Sequence, residues 1–549
     1  MDDDFQDPIT NRTRISGPCS FIYQLRSLMP LPAAFHCFTF ASWLFCLGLF
    51  IFRKSLRFSH AIVGIGLLFV PICFMRAEFD QLSRVRGSHS LSGVYVYNAF
   101  RISDSEIRFF FMQSTDEMQS LQFLDTDGWK SVETTCVCPL STLISQCSVE
   151  AHLGIIRTNS YGSLTLRVPK STVEREVDVI DVRPKDEMAN REYSYDHKLG
   201  VCIQPIYYHA DWPVFIQFFE YWIAAGATKF YIYLHSATPQ VRKVLAYYSD
   251  LLGAGLEIIP WSDLPVSAKD RGDFSRDPNT RVFRAGAYAA VNDCLLRSRW
   301  SVKFLAMMDV DEVVVIDSGG SLSRRIEDLA NLNPFAATFS LEWRYGVFET
   351  DKHHMRARTP RNLSFHSHSE VKVLPVENVM FDYGRLRKII QRPERVRITD
   401  IHNTITNENI PLPDDLIPLP YETAHVNSSM LSVLHLRRFN PRSLHSVSDN
   451  STPANIDRKI ITKMISNFKN RSALLNFDMG QWWRPAEQTM AELEACRKHP
   501  FNLGTRIGKG HCRSLANCEP TLSSAEAFVK EPSVWTNVAI RERFIQYVV

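Results

Sequence analysis

Near the middle of the chain, Lys303-Phe304-Leu305-Ala306-Met307-Met308-Asp309-Val310-Asp311-Glu312 brings an apolar run, suited to a buried strand, to an abrupt end in two aspartates one residue apart. On an extended backbone, residues i and i+2 project to the same side. Asp309 and Asp311 are therefore expected to point together into the crevice beyond the strand's carboxyl end, where open α/β sheets bind ligands. Two hard carboxylate oxygens there suit Mg²⁺ or Mn²⁺, and such an ion can hold a diphosphate. That is the chemistry of a sugar-nucleotide transferase. The tripeptide alone carries little weight, because Asp-x-Asp recurs at Asp2/Asp4 and at Asp125/Asp127, the latter just before Gly128 in a turn-like stretch. The copy at Asp309 differs in closing an apolar strand; the competing reading is a solvated strand end.

The elements around this motif are legible as an alternation. Val201 to Tyr207 reads as a strand, Trp212 to Ala225 as a helix ending at Gly226, and Lys229 to Leu234 as a second strand. Pro239 to Leu252 reads as a second helix, Leu256 to Trp261 as a third strand, and Val282 to Arg297 as an Ala-rich third helix before the strand that ends in Asp309. Strand and helix alternating with short connections predict an α/β domain with a mixed, mostly parallel sheet and right-handed crossovers. The acidic pair then falls at the carboxyl end of the fourth strand. Upstream, Gly93 to Tyr97 and Ile107 to Phe111 read as a strand pair in a β-rich segment, and the charged stretch 170–196, with Pro184, reads as a connector. Downstream, Phe339 to Arg344 reads as a strand entering a loop, and helical stretches are expected around Arg458 to Phe468 and Pro485 to Cys496.

Composition places the chain among ordinary folding sequences, with 45% hydrophobic and 22% charged residues in 549. Its formal charge of +3 and the lack of a Lys/Arg block argue against nucleic acid as a partner. Met1-Asp2-Asp3-Asp4 is acidic where a cleavable signal would be basic. Leu31 to Phe52 is an uncharged run of about 22 residues, enough to cross a bilayer. A second run, Ser59 to Met75, is of about 17 residues and marginal. Arg53, Lys54 and Arg57 lie between them, so one span or two remains open, and both arrangements put residues beyond about 80 in the lumen. The eight cysteines beyond the membrane region, Cys136, Cys138, Cys147, Cys202, Cys294, Cys496, Cys512 and Cys518, permit disulfides there. Sequons at Asn362, Asn427, Asn450 and Asn470 are compatible with the same address.

A series of short stretches resembles glycosyltransferase family 92. It runs Cys202-Ile203-Gln204-Pro205, Gly226 to His235, Ile258-Ile259-Pro260-Trp261, Asn292-Asp293-Cys294-Leu295 and Met308 to Glu312. Val94 to Phe100 upstream, and Lys388 to Glu394, Ile401-His402 and His435 to Arg438 downstream, extend the likeness over roughly residues 93–450. The resemblance implies a GT-A type nucleotide-sugar-binding domain, a Golgi membrane anchor with the catalytic domain luminal, and inverting transfer. Family members with known activity move galactose from UDP-galactose to glycans, including a β1,4 link onto core fucose of N-glycans. The double apolar run departs from the single anchor expected. The domain layout that follows is a tail at 1–30, a transmembrane region at 31–75, a stalk and β-rich luminal segment at 76–195, a GT-A type domain at 196–475 and a luminal extension at 476–549.

Roles follow from chemistry within that frame. Asp309 and Asp311 are assigned to Mn²⁺ or Mg²⁺ bridging the donor diphosphate, with Glu312 either holding the loop or standing behind the ligands. His435 or His402 is the candidate third ligand, since neutral imidazole suits Mn²⁺; either could equally be structural. Glu342, beside Trp343 in a Leu-Glu-Trp-Arg stretch, is the first candidate for the general base that inversion needs. Glu349 and Asp351 are alternatives. Lys388, Arg392, Arg437 and Arg438 are candidates to pair with the departing UDP diphosphate, and the strand ends at 202–207 and 233–235 for the uridine pocket. The expected partners are a UDP-sugar donor, an N-glycan or glycolipid acceptor, and a membrane. A catalytically silent glycan- or enzyme-binding protein is the alternative, and the intact acidic pair argues against it. Adjacent acids on one strand end also fit a hydrolase poorly, because glycosidases space their carboxyl groups across the sugar.

Overall fold

The computed structural model describes residues 93–115, 118–137, 147–169, 174–184, 194–273, 276–316, 321–348, 371–373, 387–411, 417–437, 452–453, 458–476, 488–496, 512, 514–536 and 545–548. The chain divides into two units, Met1–His89 and Ser90–Val549, and every described residue belongs to the second. Among the described residues no helix is long and apolar enough to cross a membrane. The apolar runs at 31–52 and 59–75 lie outside them.

The larger sheet positions the site. Its first four strands, β1 (His197–Ile206), β2 (Lys229–Leu234), β3 (Leu256–Pro260) and β4 (Val302–Met308), are parallel in the order β3-β2-β1-β4. Crossover helices α1 (Trp212–Ala225), α2 (Pro239–Leu252) and α3 (Ala287–Arg297) join them. Strands covered on both faces read as continuous apolar runs, which is why these four were legible in the sequence. Asp211 caps α1 by accepting from the Val214 N–H, and Gly226 ends it at a left-handed φ of 102°. The third helix begins later than its apolar pattern predicts, because Arg284 and Ala285 take positive φ and Gly286 a left-handed turn before α3 can start.

Beyond β4 the sheet turns mixed. After a tight turn the chain continues as β5 (Glu312–Ile316), and α4 (Leu322–Leu332) leads into β6 (Ala336–Phe348). Strand β7 (Arg387–Gln391) is antiparallel to both β4 and β6. Strand β8 (Leu431–Arg437) is parallel to β6 and antiparallel to β5. The sheet is thus mixed, as expected, but parallel only in its first half rather than mostly so. The antiparallel returns come from a long second half whose loosened hydrophobic pattern gave no period to read.

The β-rich segment builds a second, seven-stranded sheet and a separate four-stranded one. Strand Val94–Ser103 pairs antiparallel with Glu106–Ser114, which pairs with Val149–Arg157. The C-terminal strand Ile545–Val548 returns to pair parallel with Val94–Val96. Part of the expected connector is sheet instead: Glu174–Val177 pairs with Leu164–Arg167, and Val179–Asp181 with Ala99–Arg101. Helix α3 packs between the larger sheet and the seven-stranded one, where Asn98 Nδ2 donates to Asp293 Oδ1 at 2.9 Å. Disulfides join Cys147 to Cys512, Cys202 to Cys294 and Cys496 to Cys518, and Cys136 is also disulfide-bonded.

Buried His152 lies in this second sheet, stacked on Phe111 with neither ring nitrogen hydrogen-bonded. Burial pushes its pKa down to about 4, so the unfolded chain, at about 6.5, binds the proton first. Stability is then fully present above about pH 6.5 and falls as pH drops towards 4, by up to about 3 kcal/mol. Denaturant midpoints measured across pH 4–7 should show this slope in the parent and a shallower one in His152→Leu.

Candidate active site

Register places the acidic pair. Ile203 of β1 lies beside Met308 of β4, so Gln204 and Asp309, one residue further, emerge together at the carboxyl ends of adjacent parallel strands. Gln204 Nε2 donates to Asp309 Oδ1 at 2.6 Å. The strand does not run on as an extended backbone. The Glu312 N–H donates to the Asp309 carbonyl at 3.2 Å, closing a turn over Asp309–Glu312. The expected extended Asp309–Asp311 pair is therefore corrected to positions one and three of a turn, and their side chains find different partners.

Asp309 faces Lys388. The Lys388 side chain is 0% exposed, with Nζ 3.2 Å from Asp309 Oδ2 and 2.9 Å from Glu312 Oε2. These are ion-pair contacts without hydrogen-bond alignment at Nζ. Glu312, also fully buried, accepts from the Asp309 N–H at 2.8 Å through Oε2 and from Trp343 Nε1 at 2.8 Å through Oε1. Burial alone would raise the Asp309 carboxyl; the Lys388 ammonium, with His435, His402 and the Gln204 amide, outweighs it and holds that group well below the usual carboxylate range. Burial likewise opposes the charge on Lys388, and the two carboxylates overcome it, so its pKa is raised. Burial and the charges of Asp309 and Asp311 push Glu312 upward against the pull of Lys388.

Asp311 faces His435. Their Oδ2 and Nε2 atoms are hydrogen-bonded at 2.9 Å. The Asp311 carbonyl also accepts from the Leu436 N–H at 2.7 Å, anchoring the turn to β8. The imidazole meets the edge of Trp343, ring centroids 5.0 Å apart, and its Nδ1 lies 3.7 Å from Glu312 Oε1. Among the described residues, no three His, Cys, Asp or Glu side chains converge with metal-binding spacing. Two do fit an edge. Ligands at about 2.1 Å from an octahedral ion stand about 3.0 Å apart when cis, which the separation of Asp311 Oδ2 and His435 Nε2 matches. Mg²⁺ is commonly held by one or two carboxylates, its other positions filled by water and substrate phosphate, so this donor set is adequate for Mg²⁺ or Mn²⁺.

The other candidates fall elsewhere. Glu342 sits on β6 opposite Arg387 and Ser432. Strand alternation turns it to the face away from Lys388 and Trp343, where its carboxylate meets Arg344 Nη2 at 3.4 Å. Arg392 lies past the far end of β7 and pairs with Glu394 at 3.1 Å, several residues from the acidic turn. Lys388 is placed at the site but enclosed by carboxylates rather than open to a diphosphate. The Arg437 backbone pairs with Val347; its side chain, like Arg438, Glu349 and Asp351, lies outside the described residues. His402 donates from Nδ1 to the Arg387 carbonyl, 2.9 Å away, and burial with the nearby Lys388 pushes its pKa down to about 4. Sequence reasoning missed Gln204 as the partner of Asp309 and missed the turn, because neither leaves a periodic signal. It also missed His209, which follows β1; its Nδ1 is buried without a hydrogen bond and it feels the Asp311 charge.

The sequence profile described as Glycosyltransferase family 92 matches residues 197–473, half of the chain and the whole of this site. The chain belongs to glycosyltransferase family 92. It is 28% identical over 141 residues to the family 92 protein F13G3.3 of Caenorhabditis elegans, covering 26% of this chain and 27% of that one. It is 29% identical over 155 residues to the beta-1,4-galactosyltransferase galt-1 of the same organism, covering 28% and 33%. These matches thus span about a quarter to a third of the relatives' length. Among solved structures, an amylomaltase from Corynebacterium glutamicum shares 14% identity over 33% of this chain and 25% of its own, at a TM-score of 0.11. A likeness that weak bears on neither fold nor function.

The enclosed ammonium makes a stability prediction. Lys388→Met leaves Asp309 and Glu312 facing each other without a cation and should cost about 3–5 kcal/mol, read from denaturant unfolding. Adding Glu312→Gln should recover part of the loss; strictly additive losses would mean that the two groups act independently.

Proposed function

We propose that this family 92 chain is a metal-assisted hexosyltransferase. It moves galactose from UDP-galactose onto a glycan acceptor, of N-glycan or glycolipid type, with inversion at the anomeric carbon. It acts from a GT-A type domain anchored in the Golgi membrane and facing the lumen. The observation that carries the reading is the acidic turn at the carboxyl end of β4, where Asp311 and His435, hydrogen-bonded at 2.9 Å, bring a carboxylate and an imidazole together as donors for a cation. The donor sugar rests on the likeness to a relative named a beta-1,4-galactosyltransferase. The luminal address is supported by the disulfides, which persist in oxidising compartments.

The chain's own residues have distinct tasks in this reading. Asp311 and His435 would hold a divalent ion, whose Lewis acidity would offset the charge that develops on the leaving UDP. His435 is oriented by Trp343 on one side and Glu312 on the other, and Asp311 is fixed through its backbone to β8. Lys388 stiffens the turn and holds Asp309 ionised. The strand ends of β1 and β2 border the nucleotide. With Glu342 turned to the opposite face, Glu349 and Asp351 are the acids left to take the proton from the acceptor hydroxyl.

The test is a screen of the full-length chain in secretory membranes, offering each UDP-sugar with Mn²⁺ to arrayed glycans. UDP-galactose should be consumed and galactose should appear on a glycan. Chelation should abolish transfer and Mn²⁺ restore it, and Asp311→Ala should lower transfer about 10²-fold or more. Use of a different UDP-sugar would overturn the donor assignment, and failure of every UDP-sugar to bind or turn over would favour the silent reading.

A further inference from the structure

We propose that Asn427 is an N-glycosylation site whose glycan stands over the open edge of the strand that precedes it. This rests on the luminal address proposed above and adds a modified residue to it.

Asn427-Ser428-Ser429 meets the acceptor pattern Asn-x-Ser/Thr. It forms the turn between strand Glu422–His425 and β8, where the Met430 and Leu431 N–H groups both donate to the Asn427 carbonyl, at 2.8 and 3.2 Å. Asn427 and Ser429 are exposed, while Val426 beside them is buried. Asn427 Oδ1 accepts from the Ser429 N–H at 2.9 Å and from the Ser429 hydroxyl at 3.0 Å. A backbone N–H can only donate, so the atom that faces it is the carboxamide oxygen. The planar amide therefore turns Nδ2 away from both donors, where a glycan can be attached.

The chemistry leaves this turn intact. An oligosaccharyl group arrives on a lipid diphosphate. Its C1–O bond to phosphate breaks, a C1–Nδ2 bond forms, Nδ2 loses one proton, and the lipid diphosphate leaves with the bonding electrons. Oδ1 keeps its lone pairs, so both Ser429 contacts survive in the modified chain. The sequon at Asn470 differs: it lies in helix Arg458–Leu475, where residues two apart do not face each other, so this turn cannot form there. Asn362 and Asn450 lie outside the described residues.

The neighbouring strand supplies a task for the glycan. Glu422–His425 pairs parallel with β6 along one side; among the described residues its other side is unpaired, and Glu422, Thr423 and His425 are exposed. Open edges invite pairing with further chains, and folded proteins cover them. A glycan at Asn427 puts a bulky, hydrated group next to this edge.

The test expresses the full-length chain in a eukaryotic secretory host and treats it with a glycan-releasing amidase in heavy-oxygen water. That treatment leaves a labelled aspartate wherever a glycan stood, and peptide mass spectrometry reads the position. Residue 427 should carry the label in most parent molecules and in Ser429→Thr. Ser429→Ala and Asn427→Asp should lose it and migrate faster by the mass of one glycan. Asn427→Asp keeps an oxygen acceptor for both Ser429 donors, so it should fold as the parent does, yet self-associate more in light scattering at equal concentration in detergent. Self-association equal to the parent's would overturn the shielding role. Label at another sequon with none at residue 427 would overturn the site and leave the luminal address standing. Label at no sequon would contradict that address and the inference together.

Discussion

A lysine with no exposed surface, enclosed by two carboxylates, is the constraint on which the rest of the site depends. A buried charge is tolerated only when it is paired and held in good geometry. Lys388 meets that condition because β7 runs antiparallel to β4 and delivers its side chain against the turn that begins at Asp309. The turn in turn brings Glu312 back beneath Asp309. If the pairing were shifted by one residue, Lys388 would leave this face of the sheet and both acids would lose their cation.

The same economy of contacts runs outward. Glu312 opens β5, and its register partner on β8 is His435, so the strand pairing that builds the mixed half of the sheet also sets the spacing between turn and imidazole. Trp343 of β6 completes the wall, donating to Glu312 and meeting the His435 ring edge-on. Aromatic pairs of this kind add to burial and fix orientation. The transfer proposed for this site would need such fixed groups, since catalysis by positioned residues gains from preorganisation rather than from flexibility.

The parallel half of the domain was legible in the sequence because each strand is an unbroken apolar run punctuated by Gly226, Pro239 or Gly253, and the two helix caps fell where those residues stand. The acidic motif was legible because it ends such a run. What eluded the sequence is what depends on pairing between distant segments. Nothing local announces that Gln204 lies beside Asp309, that Lys388 meets Glu312, or that β6, β7 and β8 fold back antiparallel and parallel around one another. Glu342 is the acid expected as base, yet strand alternation turns its neighbour Trp343, not Glu342, towards the acidic turn. Lys388 was expected to serve a diphosphate, and burial gives it to the protein's own carboxylates. The family likeness identified the right segments and left open which atom of each faces which.

Anomalous diffraction at the manganese edge, from crystals of the chain grown with Mn²⁺ and UDP, is the most direct test of this arrangement. The account predicts one peak within bonding distance of Asp311 Oδ2 and His435 Nε2, with the Lys388 side chain still enclosed between Asp309 and Glu312. A peak bonded to Asp309 with Lys388 displaced from the turn would contradict it.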